Sequence, residues 1–156
     1  MIKNYTAKML LYEGIVAYRK KNYADSIECF SQVINLNPVN ELAHLCRGSA
    51  YLMLEKIEES ISDFNRAIAF NPLYARAYHQ RGLARQEMND IANAYRDFDR
   101  ALEIDPEFTA AYQSRDCILS PDCVTDLVTQ NNEMVEHLAG ISVEQFVKGI
   151  PVYQGI

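Results

Sequence analysis

The sequence lacks the apolar segments that secretion or membrane insertion would require. Its first stretch, MIKNYTAKMLLYEG, contains no apolar run of signal-peptide length, and no later stretch approaches the length of a membrane span. Proline and glycine are sparse, with 5 and 6 residues among 156, whereas 49% of the residues are hydrophobic. This composition argues against a disordered chain, so we expect a folded, cytoplasmic protein with about one domain's worth of core.

Positive charge is scarce as well. The 15 lysines and arginines are outnumbered by 21 aspartates and glutamates, which gives a formal net charge of −6. A surface for nucleic acid or an anionic membrane needs clustered lysine and arginine. The charge balance therefore predicts partners that do not include nucleic acid.

The residue patterns that carry chemistry are also missing. The cysteines show none of the close paired spacings of zinc sites or disulfide frameworks, and the three histidines never form a His-x3-His pattern. There is no glycine-rich phosphate loop and no sign of a nucleophile beside a base. We therefore expect reduced thiols, no metal, no cofactor and no enzymatic activity. The cysteines are Cys29, Cys46, Cys117 and Cys123.

A 34-residue repeat is what the sequence does contain. The stretch NPVNELAHLCRGSAY at 37–51 returns as NPLYARAYHQRGLAR at 71–85 and, more loosely, as DPEFTAAYQSRDCIL at 105–119. A fixed period of this length is the signature of a stacked repeat architecture. Three residue types keep the step most strictly: Pro38, Pro72 and Pro106; Gly14, Gly48 and Gly82; Phe30, Phe64 and Phe98. Aligned on them, the chain divides into units at 7–40, 41–74 and 75–108.

Each unit is predicted to contain two helices. Apolar residues recur at helical spacing in 42–54 and in 57–70, with charged residues on the other faces. The proline after each second helix ends it, because proline lacks an N–H and clashes with the preceding turn. Asn22, Lys56 and Asp90 mark the short turn inside each pair, where asparagine and aspartate are favoured N-caps. The repeated glycine lies mid-helix at a cost of about 1 kcal/mol relative to alanine, so we expect it to contact the phenylalanine ring of its own unit.

These residues resemble the tetratricopeptide repeat (TPR) family, whose pattern is W-x2-L-G-x2-Y, then A-x3-F, then P. The matching residues are His44, Arg47, Gly48, Tyr51, Ser60, Phe64 and Pro72 in the second unit and Tyr78, Arg81, Gly82, Arg85, Ala94, Phe98 and Pro106 in the third. The first unit diverges most, and 109–119 begin a fourth copy with Asp116 in place of the glycine. The resemblance implies an all-α fold, a right-handed α-solenoid of stacked antiparallel helix pairs.

We assign 1–119 to the TPR domain, with 109–119 as its cap helix, and 120–156 to a C-terminal helical extension with an apolar tail. The stretch SPD that opens the extension is a helix start. The final stretch, GIPVYQGI, has no charged side chain, so its burial is favourable. Three places for the tail stay open: the cap helix of its own chain, its own groove, or the groove of a second copy in a homodimer.

By the resemblance, the first helix of each unit lines a concave groove. The groove registers hold Lys8, Leu11, Tyr12, Ile15, Tyr18, Leu42, Leu45, Cys46, Ser49, Leu52, Arg76, His79, Gln80, Leu83 and Gln86, with Gln113 and Cys117 from the cap helix. The family's carboxylate clamp for chaperone C-terminal tails is made of Lys, Asn, Asn, Lys and Arg. The matching positions here are Leu11, Ile15, Cys46, Arg76 and Gln80. Because only Arg76 suits a carboxylate, that clamp is not expected.

An arginine and an aspartate are present together in two of the repeat units and absent together from the other. Arg47 and Arg81 occur in the two units that contain an aspartate sixteen residues later, Asp63 or Asp97, and the first unit lacks both. We interpret them as ion pairs between helices rather than as a recognition clamp; such pairs set orientation more than stability. His44 takes the place of a large packing residue and is predicted to lie in the core.

The function that follows is a non-catalytic protein–protein interaction module, a scaffold or adaptor that holds a peptide or helix of a partner in its groove. This expectation comes from the family and from the missing chemistry, since a fold does not by itself fix a function. The alternative is a small TPR chaperone or secretion adaptor that shields an apolar segment of a client.

Overall fold

The computed structural model describes residues 2–119, with their side chains from Thr6 onward. Seven α-helices make up that part of the chain. Their bounds are α1 Ile2–Arg19, α2 Tyr23–Leu36, α3 Glu41–Leu52, α4 Ile57–Phe70, α5 Ala75–Glu87, α6 Ile91–Ile104 and α7 Thr109–Ile118. The extension, helices and tail predicted for 120–156 lie outside the described residues and stay predictions.

The helices pack in pairs that follow the repeat. Helix α1 lies against α2, α3 against α4 and α5 against α6, and neighbouring pairs join through α2 with α3 and through α4 with α5. Residues up to Ser114 form one compact unit, and 115–119 belong to a second. Each predicted repeat thus contains one helix pair, and the predicted all-α solenoid of stacked antiparallel pairs is confirmed.

Each mid-helix glycine faces the phenylalanine of its own unit, as predicted. The three rings are almost completely buried, with at most 1% of their surface exposed. A Cβ atom built on the glycine would clash with Cε1 of the ring: the pairs are Gly14 with Phe30 (2.6 Å), Gly48 with Phe64 (2.7 Å) and Gly82 with Phe98 (2.5 Å). Only a residue without a side chain permits this approach, which explains why the glycine recurs despite its cost in a helix.

The turn inside each pair is a Schellman motif. In the second unit the N–H of Lys56 donates to the carbonyl oxygen of Tyr51 at 3.0 Å, and the N–H of Glu55 donates to that of Leu52 at 3.0 Å. The same two bonds recur in the other two units. The central residue is left-handed each time, although none is glycine: φ is 64° at Lys21, 58° at Glu55 and 59° at Asn89. Such a position strains a residue that has a side chain.

The expected side-chain caps at these turns do not form. Asn22 and Asp90 hold the N-cap positions of α2 and α6, but neither side chain makes a capping hydrogen bond. Asp90 instead accepts from Nδ2 of Asn93 at 2.9 and 3.0 Å. A side-chain cap occurs at the start of α3, where Oδ1 of Asn40 accepts from the N–H of Ala43 at 2.9 Å.

Each second helix ends at the predicted place. The C-cap residues Asn37, Asn71 and Asp105 have ψ values of 90°, 90° and 91°, which is extended backbone. A proline follows each of them in the chain. Because proline excludes the helical region for the residue before it, the helix cannot continue.

His44 packs in the core, as predicted. Only 5% of its surface is exposed, and its ring lies 5.6 Å from that of Phe70 between centroids. Its Nδ1 lies 3.1 Å from Oδ1 of Asp63, and its Nε2 lies 3.1 Å from the carbonyl oxygen of Pro38. Both ring nitrogens therefore have oxygen partners inside the protein.

Candidate functional site

The paired arginines and aspartates join the two helices of their own unit. Nε and Nη2 of Arg47 donate to Oδ2 and Oδ1 of Asp63 at 2.7 and 2.8 Å, and the same atoms of Arg81 reach Asp97 at 2.9 and 2.7 Å. The aspartate side chains are 4–5% exposed. Such bidentate pairs fix geometry as well as charge. The prediction of buried ion pairs between helices is confirmed, and these side chains are not free to bind a partner.

The same arginines also reach the preceding unit. Nη1 of Arg47 donates to Oγ of Ser31 at 3.0 Å, and Nη1 of Arg81 donates to Oδ1 of Asn65 at 2.6 Å. Ser31 and Asn65 occupy equivalent positions on α2 and α4, 34 residues apart. Each guanidinium therefore links three helices and helps to set the angle between successive units.

The first unit replaces this pair with Glu13 and Cys29. Burial, followed by the negative charge of Glu13, raises the pKa of the Cys29 thiol above its ordinary value. A thiol in this state is neutral near pH 7 and is a poor nucleophile. The first unit therefore lacks the ion pair that ties the helices of the other two.

A pocket of about 360 Å³ lies where α1, α3 and α5 come together within the first compact unit. We call it the groove pocket. It is lined by Ile15, Tyr18, Arg19, Phe30, Leu42, Leu45, Cys46, Ser49, Arg76 and Gln80. Most of these residues come from first helices of the three units, and only Phe30 lies on a second helix. The volume is in the range of sites that hold a small ligand or part of a peptide.

The chemistry of the groove pocket is apolar and neutral at its centre. Burial raises the pKa of Cys46 to about 11, and the nearby positive charge of Arg76 only partly opposes this rise. Burial is also the main cause that raises the pKa of Tyr18. Both groups stay protonated near pH 7, so neither is a nucleophile or an anionic ligand there.

Only some of the groove residues predicted from the resemblance lie around the groove pocket. Eight of them line the groove pocket: Ile15, Tyr18, Leu42, Leu45, Cys46, Ser49, Arg76 and Gln80. Tyr12 lines a different cleft with Val16 and Lys20. The remaining predicted residues lie outside the pocket lining; among them, Leu52 packs against the core cluster around Leu45. Lys8, Leu11, Leu83, Gln86, Gln113 and Cys117 are exposed or half-buried.

His79 does not line the groove pocket, and its predicted place in the groove stays a prediction. Its surface is 6% exposed, and its ring lies 5.5 Å from Phe98 and 5.0 Å from Phe108 between centroids. Nε2 lies 3.0 Å from Oγ of Ser114 on α7. His79 occupies the register of Leu45, which is also buried, and the serine hydroxyl gives the imidazole a polar partner inside the core.

Two pocket residues were not found from the sequence. Arg19 follows Ile15 by four residues, a spacing that places both on one face of α1. That spacing could have revealed it. Phe30 was predicted only as a core residue, and it lines the pocket although its ring is 1% exposed.

The described part of the chain holds no arrangement typical of a metal site or a membrane span. Between residues 2 and 119, no group of three or more His, Cys, Asp or Glu side chains is placed to hold a metal ion. Over the same residues, no helix has the length and apolar character needed to cross a bilayer. The three cysteines of this region have free thiols. The groove pocket is therefore the candidate functional site.

The fold and the pocket together define a class: an α-solenoid of helix–turn–helix repeats with a binding groove along its first helices. A family model described as tetratricopeptide repeat matches residues 75–108, which are the third unit predicted from the sequence. One solved TPR structure is 31% identical to the chain, which covers 90% of that structure. The protein belongs to the tetratricopeptide repeat family.

Three TPR domains are among the similar solved structures. The 31% identical one is the first TPR of Spaghetti (RPAP3) bound to the HSP90 peptide SRMEEVD, with a TM-score of 0.70 over 72% of this chain. The first TPR domain of human RPAP3 is 28% identical, with a TM-score of 0.76 over 81% of this chain and 98% of that one. The second domain of human RPAP3, in complex with the HSP70 peptide SGPTIEEVD, is 27% identical, with a TM-score of 0.72 over 76% and 98%. No curated protein sequence matches the chain.

Proposed function

We propose that this protein is a non-catalytic interaction module that binds a peptide or a helix of a partner protein in the groove formed by α1, α3 and α5. It would serve as a scaffold or adaptor. The observation that carries this proposal is the groove pocket, an open apolar site lined by first helices from all three units. Relatives that bind peptides with the same fold support it.

The peptide ligands of those relatives do not transfer directly to this chain. At the registers where the family places its carboxylate clamp, Ile15, Cys46, Arg76 and Gln80 all line the groove pocket. An isoleucine has no hydrogen-bond donor and a protonated thiol is only a weak one, so neither replaces the amide and ammonium donors of the clamp. We therefore propose a partner whose recognition depends on an apolar side chain, and we do not propose the chaperone tails.

The test is affinity capture of partners by the full chain, followed by mass spectrometry, with a groove variant beside the wild type. Leu42 lines the pocket and is 36% exposed, so Leu42→Asp places a charge in the groove without disturbing the core. Leu73, 70% exposed and outside the pocket lining, gives the matched control Leu73→Asp.

We expect the groove variant to lose partners that the control keeps, because an unpaired carboxylate in an apolar site is unfavourable. If the two variants and the wild type recover the same partners at the same levels, the groove is not the binding site. Circular dichroism of both variants checks that neither change unfolds the helices.

The second candidate is a chaperone or secretion adaptor that shields an apolar client segment in the same groove. The apolar lining of the pocket favours it, since Ile15, Leu42 and Leu45 would cover such a segment. The two functions differ in their partners. One stable client that leaves on assembly supports the chaperone, whereas several weakly bound partners support the scaffold.

The proposed function also covers the predicted groove residues outside the pocket and the assembly state of the protein. We propose that the predicted groove residues outside the pocket, Lys8, Leu11, Leu83, Gln86 and Gln113, extend the contact with a longer partner. A homodimer through the C-terminal tail and a cytoplasmic location also remain proposals. Free thiols at the described cysteines are compatible with that compartment.

A further inference from the structure

The groove pocket carries charge of the sign opposite to that of the whole chain. Its lining contains two arginines, Arg19 and Arg76, and neither an aspartate nor a glutamate. In the chain as a whole, acidic residues outnumber basic ones by 21 to 15. Both arginines are exposed, and neither pairs with a carboxylate within residues 2–119. Among the described residues, two cations without a carboxylate partner are therefore concentrated at one site of an acidic protein.

The two arginines come from opposite sides of an apolar floor. Arg19 lies in the last turn of α1 and Arg76 in the first turn of α5, while Leu42 and Leu45 come from α3. The cations are thus carried by the first and third of the three first helices. A ligand that contacts both arginines therefore also contacts the apolar residues of α3 between them.

We infer that the groove pocket takes an internal acidic–apolar segment of a partner protein, in which a bulky apolar side chain is flanked on both sides by aspartate or glutamate. The apolar side chain rests on Leu42 and Leu45, and the flanking carboxylates reach Arg19 and Arg76. A guanidinium binds a carboxylate through two parallel hydrogen bonds, so the match is geometric as well as electrostatic. This inference rests on the proposed function, and it specifies the chemistry of the partner.

The first experiment identifies the preferred sequence without assuming it. Random peptides displayed on phage are selected on the immobilised full chain, and enriched sequences are synthesised with amidated C-termini and a fluorescein label. We expect a consensus of one leucine, isoleucine, methionine or phenylalanine with acidic residues on both sides. Binding is then measured by fluorescence polarisation, and it should weaken as salt is raised, because exposed charges are screened.

Charge reversal supplies the specific test. Arg19→Glu and Arg76→Glu should each lower the affinity for the selected acidic peptide about three- to tenfold, as expected for exposed ion pairs turned into repulsion. The same peptide with lysines in place of its acids should bind the doubly reversed protein better than the wild type. Arg66 is an exposed arginine on α4 outside the pocket lining, so Arg66→Glu is the matched control and should change neither affinity.

The outcomes separate this inference from the proposed function. The selected peptides could instead share an apolar residue and no acids, with binding that Leu42→Asp abolishes and that neither Arg19→Glu nor Arg76→Glu changes. That result overturns the inference and leaves the proposed function standing. A failure to select any peptide whose binding depends on Leu42 overturns both. The selected peptides could also be acidic while Arg66→Glu lowers their affinity as much as Arg19→Glu and Arg76→Glu do. That result reflects general charge attraction and also overturns the inference.

Discussion

A Cβ atom on Gly82 would lie 2.5 Å from Cε1 of Phe98, well inside the distance at which two carbon atoms can rest. The ring cannot move away easily, because Phe98 is completely buried. The same relationship holds in all three units. The packing of each helix pair therefore depends on one missing side chain.

The first prediction follows from that contact. Alanine is normally better than glycine in a helix by about 1 kcal/mol, but overpacking a core typically costs 1–3 kcal/mol. We expect Gly82→Ala to lower the free energy of unfolding, and Gly82→Leu to lower it by about 3 kcal/mol or more. Urea denaturation measures both changes.

A second substitution checks the cause. If the ring causes the loss, Phe98→Leu combined with Gly82→Ala should be less destabilised than the sum of the two single variants. Gly82→Ala with unchanged or increased stability would show that the helices can separate at no cost.

The second prediction concerns Asp97, which accepts from two arginines. Oδ1 accepts from Arg81 at 2.7 Å and Oδ2 accepts from Arg85 at 2.7 Å, with the carboxylate 4% exposed. Asp97→Asn leaves two half-buried cations without a counter-charge, and we expect a loss of about 3 kcal/mol. Arg81→Met should cost less, because Arg85 still pairs with Asp97.

The control is the exposed pair between Arg100 and Glu103 on α6. Exposed pairs often contribute nothing measurable, so Arg100→Met should leave the denaturation midpoint unchanged. If Arg81→Met lowered the free energy of unfolding as much as Asp97→Asn, the remaining pair between Arg85 and Asp97 would contribute nothing.

The third prediction concerns the left-handed turn residues. Glu55 has φ of 58° at the centre of its Schellman turn, a conformation that costs a residue with a side chain about 1–2 kcal/mol. Glycine adopts it freely, so Glu55→Gly should raise the free energy of unfolding by about 0.5–1 kcal/mol after the greater chain entropy of glycine is subtracted.

Glu28 gives the matched control, since it is exposed and lies within helix α2. There the same change, Glu28→Gly, should lower stability by about 0.5–1 kcal/mol. Changes of the same sign at the two positions would contradict the prediction. Thermal melts of both variants at equal concentration give the comparison.

The fourth prediction is a dependence on pH through His79. Burial lowers the pKa of His79 below its ordinary value, although a backbone hydrogen bond at Ala110 opposes the shift. At low pH the unfolded chain therefore binds a proton at His79 more readily than the folded protein does. The contribution of neutral His79 to stability is fully present above the ordinary histidine pKa of about 6.5 and is lost as the pH falls below it.

The measurement is urea denaturation at pH 7.5 and at pH 5.5. Leucine fills the equivalent register in the second unit at Leu45, so His79→Leu should reduce the difference between the two pH values. A difference as large in His79→Leu as in the wild type would assign the acid sensitivity to other groups.

The repeat made most of the fold predictable. Helix bounds, the prolines at their ends and the glycine–phenylalanine contacts follow from one period, because equivalent registers must satisfy the same packing in every unit. That Arg81 pairs with an aspartate of another helix was predictable, because the first unit has neither residue type at the equivalent positions, but the sequence left Asp97 and Asp63 open as partners. Their joint absence is a signal that no single unit could supply.

The site was less predictable, since a register fixes a position along a helix and only roughly a direction around it. His79 shares its register with Leu45, yet Leu45 lines the groove pocket and His79 does not; Nε2 of His79 instead lies 3.0 Å from Oγ of Ser114 on α7. Asn22 and Asn40 both precede a helix, yet only Asn40 caps one, because the Schellman turn sets a different backbone at Asn22. Such outcomes depend on partners that are distant in the sequence.

The arginines that link successive units make the cooperativity of the stack unequal along its length. Arg47 and Arg81 each reach back from their own unit to the one before, while Glu13 holds the equivalent place in the first unit. In a nearest-neighbour description of a solenoid, the second and third units carry both an internal ion pair and a polar coupling to each other. In the first unit Glu13 and Cys29 replace that ion pair, and its polar links to the second unit include Ser31 with Arg47 and Pro38 with His44. We therefore expect the second and third units to unfold as one cooperative block and α1 with α2 to open first, which would loosen the side of the groove pocket that Ile15 and Arg19 form.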